Sequence, residues 1–100
     1  MGAMQTPATP ATPLADLIAA RLDAALTPTR LEVVNESHLH SGHAGDNGTG
    51  ESHFRVEIES AAFVGLSRVA RQRLVNRAVA DLLAARIHAL AIRARAPGEA

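Results

Sequence analysis

Five histidines are unevenly placed along the 100-residue chain. His38, His40 and His43 fall in one stretch, Ser37 to Gly50, that is punctuated by glycine and asparagine. His53 opens an alternating apolar and charged segment, and His88 opens another. Imidazole suits iron, zinc and copper, and two or three such groups make an open metal site. His-x-His with a third histidine nearby has no fixed geometry, however. Loop histidines are often merely solvated, and a lone histidine beside Leu90 and Ile92 is more often a hydrogen-bonded core residue. Spacing alone leaves these readings open.

A second set is cationic: Arg68, Arg71, Arg73 and Arg77, with Gln72 among them. A helix N-terminus carries partial positive charge, so Arg68 and Arg71 in a first turn oppose helix stability and point to a use such as anion or nucleic-acid binding. The competing reading is a solvated face paired with Glu57, Glu59 or Asp81. No aromatic residue interleaves with these arginines, which argues against a platform for stacking bases. A third set is Ser37, Ser41, Ser52 and Asp46 near the histidines. None has the strand–turn–helix setting that exposes a nucleophile, and no glycine-rich loop leads into a helix with a lysine. Enzymatic activity is not expected.

The elements that must position these groups follow from hydrophobic period. One hundred residues make one domain with a single modest core. Only Phe54 and Phe63 are aromatic, so Ala, Leu and Val must build that core. There is no cysteine, hence no disulfide and no thiolate ligand from this chain. No apolar run is long enough to span a bilayer and no secretory signal opens the chain, so a soluble, cytoplasmic protein with no membrane partner is expected. Net charge is zero but divided. Residues 1–60 carry three arginines against eight acids, a net of −5. Residues 61–100 carry seven arginines against two acids, a net of +5.

Residues 1–11, with their Pro/Thr/Ala tract, read as a disordered tail. Met1-Gly-Ala reads as an expression scar ahead of a native start at Met4. A helix is expected from about Pro13 to Leu26, with Thr12 as N-cap and Thr27-Pro28 as its stop. Strands are expected at Leu31 to about Glu36 and at His53 to about Ser60, paired antiparallel across a long loop. Gly65 turns the chain into a helix capped by Ser67 and running to about Ala84. A third strand runs from Ile87 to about Ala94. The crossover makes it parallel to the second. The expected fold is α/β (α+β), in the order α-β-β-α-β: a small three-stranded mixed sheet with helices on one face. The ordered domain covers 12–97, with a disordered tail at 98–100.

Five stretches, in this order and spacing, resemble the BolA-like family: Leu31-Glu-Val-Val-Asn-Glu-Ser37, Glu51-Ser-His-Phe-Arg-Val56, Phe63-Val-Gly-Leu-Ser67, Val69-Ala-Arg-Gln-Arg-Leu-Val-Asn76 and Ile87-His-Ala-Leu-Ala-Ile92. The resemblance runs from about Leu14 to Pro97. It implies a fold similar to a type II KH domain. It also implies a monothiol glutaredoxin partner and a [2Fe-2S] cluster shared with that partner and glutathione, none being held by this chain alone. His88 stands where the family has a strand-opening ligand. The second ligand comes from the hairpin loop: counting forward from Asn35 gives His40, while a longer loop leaves His43 as the alternative. Some bacterial members are DNA-binding transcriptional regulators, which implies double-stranded DNA contacts by Arg68, Arg71, Gln72, Arg73 and Arg77. The family usually has histidine where Gln72 stands. The free protein is expected to be a monomer or a weak homodimer, and His88 to be partly exposed with a ring nitrogen facing the loop.

Overall fold

The structure, a computed structural model, describes residues 12–37 and 51–99. The tail 1–11 and the segment 38–50, which holds His38, His40 and His43, lie outside the described residues. The order is α1 (Leu14–Leu26), β1 (Arg30–Asn35), β2 (His53–Glu59), a 3-10 turn (Ala61–Phe63), α2 (Arg68–Ala78), α3 (Ala80–Ala85) and β3 (Ala89–Arg95). The strand order is β1-β2-β3, antiparallel between β1 and β2 and parallel between β2 and β3. This is the expected mixed sheet. No described helix is long and apolar enough to cross a membrane.

β2 is central because its alternation is the cleanest in the chain. Phe54, Val56 and Ile58 are buried, and Arg55, Glu57 and Glu59 point to the other face. Full burial of each such apolar side chain contributes about 1.5–3 kcal/mol. Leu14, Ile18, Leu22 and Leu26, spaced by four residues along α1, are buried in one cluster with them. Val75, Val79 and Leu82 come from α2 and its continuation, and Leu31, Val33, Leu90, Ile92 and Ala94 pack at the margins. Both helical layers therefore cover the same face. The other face is charged and ion-paired: Arg55 bonds Glu36 at 3.0 Å and also Glu57, and Arg95 reaches Glu59 at 3.2 Å.

Helix ends depart from expectation in instructive ways. Pro13, not Thr12, is the cap residue of α1, and no side chain of that residue caps it. The Leu14 N–H instead donates to a Glu51 carboxylate oxygen at 2.8 Å, and Glu51 also accepts from Arg86 at 3.3 Å. A distant carboxylate thus serves the helix N-terminus, where negative charge is favoured. The second helix is not continuous to Ala84. It breaks at Val79 (φ −115°, ψ 20°) into α2 and α3. Val79 is fully buried and flanked by alanines, so packing rather than helix propensity sets the break. Ser67 caps α2 as expected, accepting from the Ala70 N–H at 3.1 Å, and Gly65 takes the left-handed turn at φ 78°. Ser60, completely buried, donates to the Leu26 carbonyl at 2.6 Å and accepts from the Ala62 N–H at 3.1 Å. It ties the end of α1 to the end of β2.

Two staples close the fold. At the start of β2, the buried Ser37 hydroxyl accepts from the Ser52 N–H at 2.8 Å and the His53 N–H at 3.1 Å. It stands in for the backbone carbonyl that a continuing β1 would have supplied. At the other end, Arg71 donates through Nε to the Leu66 carbonyl at 3.0 Å and through its terminal nitrogens to Glu99, one contact being 2.9 Å. Glu99 also accepts from the Ala96 N–H at 3.0 Å. These partners, Arg71 first, hold the Glu99 carboxyl well below its ordinary 4.5, at about 2.

Ser37→Ala leaves two buried amides without an acceptor, at roughly 1–3 kcal/mol for each group. Urea unfolding should show a loss of at least about 1 kcal/mol; an unchanged midpoint would mean that water replaces the hydroxyl. The Arg71–Glu99 staple carries a pH signature. Because the folded carboxyl titrates lower than the unfolded one, its contribution is present above about 4.5 and disappears as pH falls towards 2. The melting temperature of Glu99→Gln should therefore lie below that of the parent at neutral pH. The gap should close as pH falls through that window, and a gap constant across it would assign the loss to something other than the ion pair.

Candidate functional site

The chemistry-bearing residues divide between the two ends of the sheet. β2 and β3 are parallel and start together, with His53 opposite Ala89. The Ser52 carbonyl accepts from the His88 N–H at 2.8 Å and the Ala89 N–H at 3.2 Å. His88 is thereby fixed by its backbone one residue before β3, and its side chain is exposed. Partial exposure was expected; the loop that its ring was expected to face lies outside the described residues. The His88 ring lies against that of His53, with centroids 5.1 Å apart and planes tilted by 47°. His53 is buried, with Nδ1 2.8 Å from the Ser52 hydroxyl. The register sets His53 opposite Ala89, so His88, one residue ahead of β3, owes its contact with the His53 ring to the turn into the strand rather than to strand alternation.

The Ser52–His53 contact has the separation of a nucleophile and its base. Ser52 is completely buried, so an incoming carbonyl carbon does not reach its oxygen. Among the described residues, no three His, Cys, Asp or Glu side chains converge to hold a metal ion. His88 therefore offers one imidazole on a fixed backbone, and the remaining ligands of any metal group must come from elsewhere. The segment 38–50 leaves the described chain at Ser37 and returns at Glu51. Ser37 bonds the Ser52 and His53 amides, and Ser52 bonds His88. Both attachment points thus flank the His88 mouth, and His40 and His43 belong to that segment.

Arg68 and Arg71, in the first turn of α2, lie toward the other end, beside the close of β3, and Arg73 and Arg77 follow along α2 as the crossover returns toward the start of β3. They do not form one stripe. At 100° per residue, Arg68 and Gln72 sit on one flank of α2, whereas Arg73 and Arg77 sit roughly opposite. Arg68, Arg73 and Arg77 are exposed. Arg71 is not available: its side chain is 12% exposed and spent on Glu99 and the Leu66 carbonyl. The first-turn arginine that seemed placed against helix stability is thus accounted for by an intramolecular staple. Its partner, Glu99, was not foreseen, because it lies beyond the last strand in a stretch taken as tail. The flank bearing Arg68 and Gln72 faces a groove of about 490 Å³ lined also by Ile92, Arg93, Ala94, Arg95 and Glu99.

Known proteins bear on this arrangement. A Sinorhizobium protein described as "Uncharacterized protein in cobS 5'region" is 54% identical over 87 residues, covering 86% of this chain and 94% of that protein. Human BolA-like protein 1 is 46% identical over 87% of this chain, which spans only 61% of that protein. A Vibrio cholerae protein, "DNA-binding transcriptional regulator BolA", is 48% identical over 77% of this chain and 69% of its own length. Among solved structures, the BolA domain of SufE1 from Arabidopsis thaliana superposes with a TM-score of 0.78 at 39% identity, covering 87% of this chain and 95% of that one. Mouse BolA1 superposes with a TM-score of 0.71 at 41% identity, covering 97% of this chain and 76% of that one. The family described as BolA-like protein matches residues 22–99. The chain belongs to the BolA-like family.

Proposed function

We propose that this chain is a partner protein that lends His88 to a [2Fe-2S] cluster shared with a monothiol glutaredoxin and glutathione, in iron–sulfur trafficking or iron regulation. The observation that supports it best is the combination at His88: an exposed imidazole on a backbone already fixed by Ser52, at the mouth from which a histidine-bearing segment departs. The residues fit such a group. One imidazole is a sound iron ligand, a second is available in sequence at His40 or His43, and thiolates are left to the partner. Imidazole in place of thiolate raises a cluster's potential. His88 also needs no new ordering on binding, which otherwise costs about 1–2 kcal/mol per residue.

Anaerobic reconstitution with a monothiol glutaredoxin, followed by visible absorbance and circular dichroism, tests this reading. His88→Ala should abolish the heterodimer's spectrum or convert it to that of the glutaredoxin alone. His40→Ala should leave a more labile cluster, with His43 or His38 standing in. The reverse order of effects would overturn the ligand assignment.

DNA binding is a second reading, favoured by the exposed Arg68, Arg73 and Arg77 and by the description of the Vibrio cholerae relative. It is narrower than the sequence suggested, since Arg71 is engaged. Changing both Arg73 and Arg77 to alanine should weaken duplex binding across sequences and flatten the log–log salt slope by about 2. An unchanged slope would leave that flank as a solvated face.

A further inference from the structure

β3 is an edge strand: β2 is its one paired neighbour among the described residues. The direction of its hydrogen bonds is readable. The Ala89 N–H donates to Ser52, and the Arg95 carbonyl accepts from Ser60. In a parallel ladder the N–H and C=O of one residue point to the same side. Residues 89, 91, 93 and 95 therefore bond inward to β2, and the N–H and C=O groups of Leu90, Ile92 and Ala94 point outward. Such an edge is a template for another strand.

The surroundings of this edge are basic. The groove between β3 and α2 holds Arg68, Arg93, Arg95 and Glu99, with Gln72 and the half-buried Ile92 between them. Arg95 is paired with Glu59, and Glu99 is paired with Arg71. Neither Arg68 nor Arg93 has an ion-pair partner among the described residues, so the groove keeps two uncompensated cations and no uncompensated acid. An added strand would alternate its side chains. One set would lie over Arg93 on the open sheet face, and the other over Ile92, Gln72 and Arg68 on the helix side.

We propose that the outer edge of β3 is a docking site for an acidic, extended peptide segment of a partner protein, added as a fourth strand beside the Arg68–Arg93 groove. Its carboxylates meet Arg93 on one face. On the other, an apolar residue covers Ile92, next to a carboxylate for Arg68. Residues 1–11 contain no acid and so cannot be this occupant. A second copy adding β3 to β3 would set Arg93 and Arg95 of both strands on one shared face, which like charge disfavours. Single-stranded nucleic acid lacks its usual support here, because Phe54 and Phe63 are both buried and no Phe, Tyr or Trp ring lines the groove.

The test uses the full chain and a labelled nine-residue peptide of alternating glutamate and valine. Two controls have the same composition: one is N-methylated at alternate amides, and one has the glutamates in a block. Saturable binding of the alternating peptide is expected. Amide hydrogen exchange should slow at Leu90, Ile92 and Ala94 but not at Ala91 or Arg93. The double variant Arg68→Glu, Arg93→Glu should weaken binding by about tenfold or more. Both positions are exposed, and an acid at Arg68 suits the first turn of α2, so the variant should melt like the parent. Four results would each overturn the proposal. These are no saturable binding, equal binding of the N-methylated peptide, protection without the alternating pattern, and a thymidine oligonucleotide of matched charge binding more tightly at the same edge. Peptide-independent protection of the edge that grows with protein concentration would assign it to a second copy instead, and would equally overturn it.

Discussion

The parallel pairing of β2 with β3 is the constraint on which the remaining structure depends. Parallel strands cannot be joined by a tight turn, so the chain must cross back over the sheet. The crossover is the turn at Gly65 followed by α2 and α3, which bury Val75, Val79 and Leu82 on Phe54, Val56 and Ile58. The pairing also fixes which residues share an end. Two strands that start together bring His53 and His88 into contact, and two that end together bring Arg95 to Glu59. An antiparallel β3 would have reversed both results.

The parts legible in the sequence are those governed by local period and local capping. The alternation of Phe54, Val56 and Ile58 against Arg55, Glu57 and Glu59 identifies the central strand without reference to the rest of the chain. Ser67 before an arginine-rich helix identifies its cap, and the spacing of Leu14, Ile18, Leu22 and Leu26 identifies a buried stripe. At the candidate site, the position and exposure of His88 followed from its place just ahead of an alternating run.

What escaped local reading involves partners distant in sequence. Glu51 serves the N-terminus of α1 across 37 residues, and Glu99 takes Arg71 across 28. Neither carboxylate sits in a pattern that announces a partner. The break at Val79 is of the same kind, since alanines on both sides favour an unbroken helix and only burial of the valine decides otherwise. Arg71 is the instructive case. Its poor placement against the helix dipole points equally to an external anion or to an internal ion pair, and the structure supplies an internal partner, Glu99, in place of Glu57, Glu59 or Asp81. A cation set against local stability signals a nearby negative charge, but not whether that charge is a ligand.

The geometry also limits how the two ends can influence each other. His88 and the groove at Arg68 share no residue, and about 20 Å of β3 lies between His88 and Arg95 at the groove's edge. An event at the His88 mouth therefore reaches the arginines in only two physical ways. A bound partner can be large enough to lie over both ends, or a change can pass along a rigid element that has two arrangements. The described core offers little for the second route. β2 is paired on both sides, its apolar residues are close-packed, and no described side-chain polar atom is buried without a hydrogen-bond partner. A sheet so constrained resists sliding, because a shift of one residue would turn Phe54, Val56 and Ile58 out of the core. Steric coverage by one partner is thus the favoured form of any coupling. The exposed edge of β3, which runs from Ala89 beside His88 to Arg95 beside the groove, is the element that spans the distance.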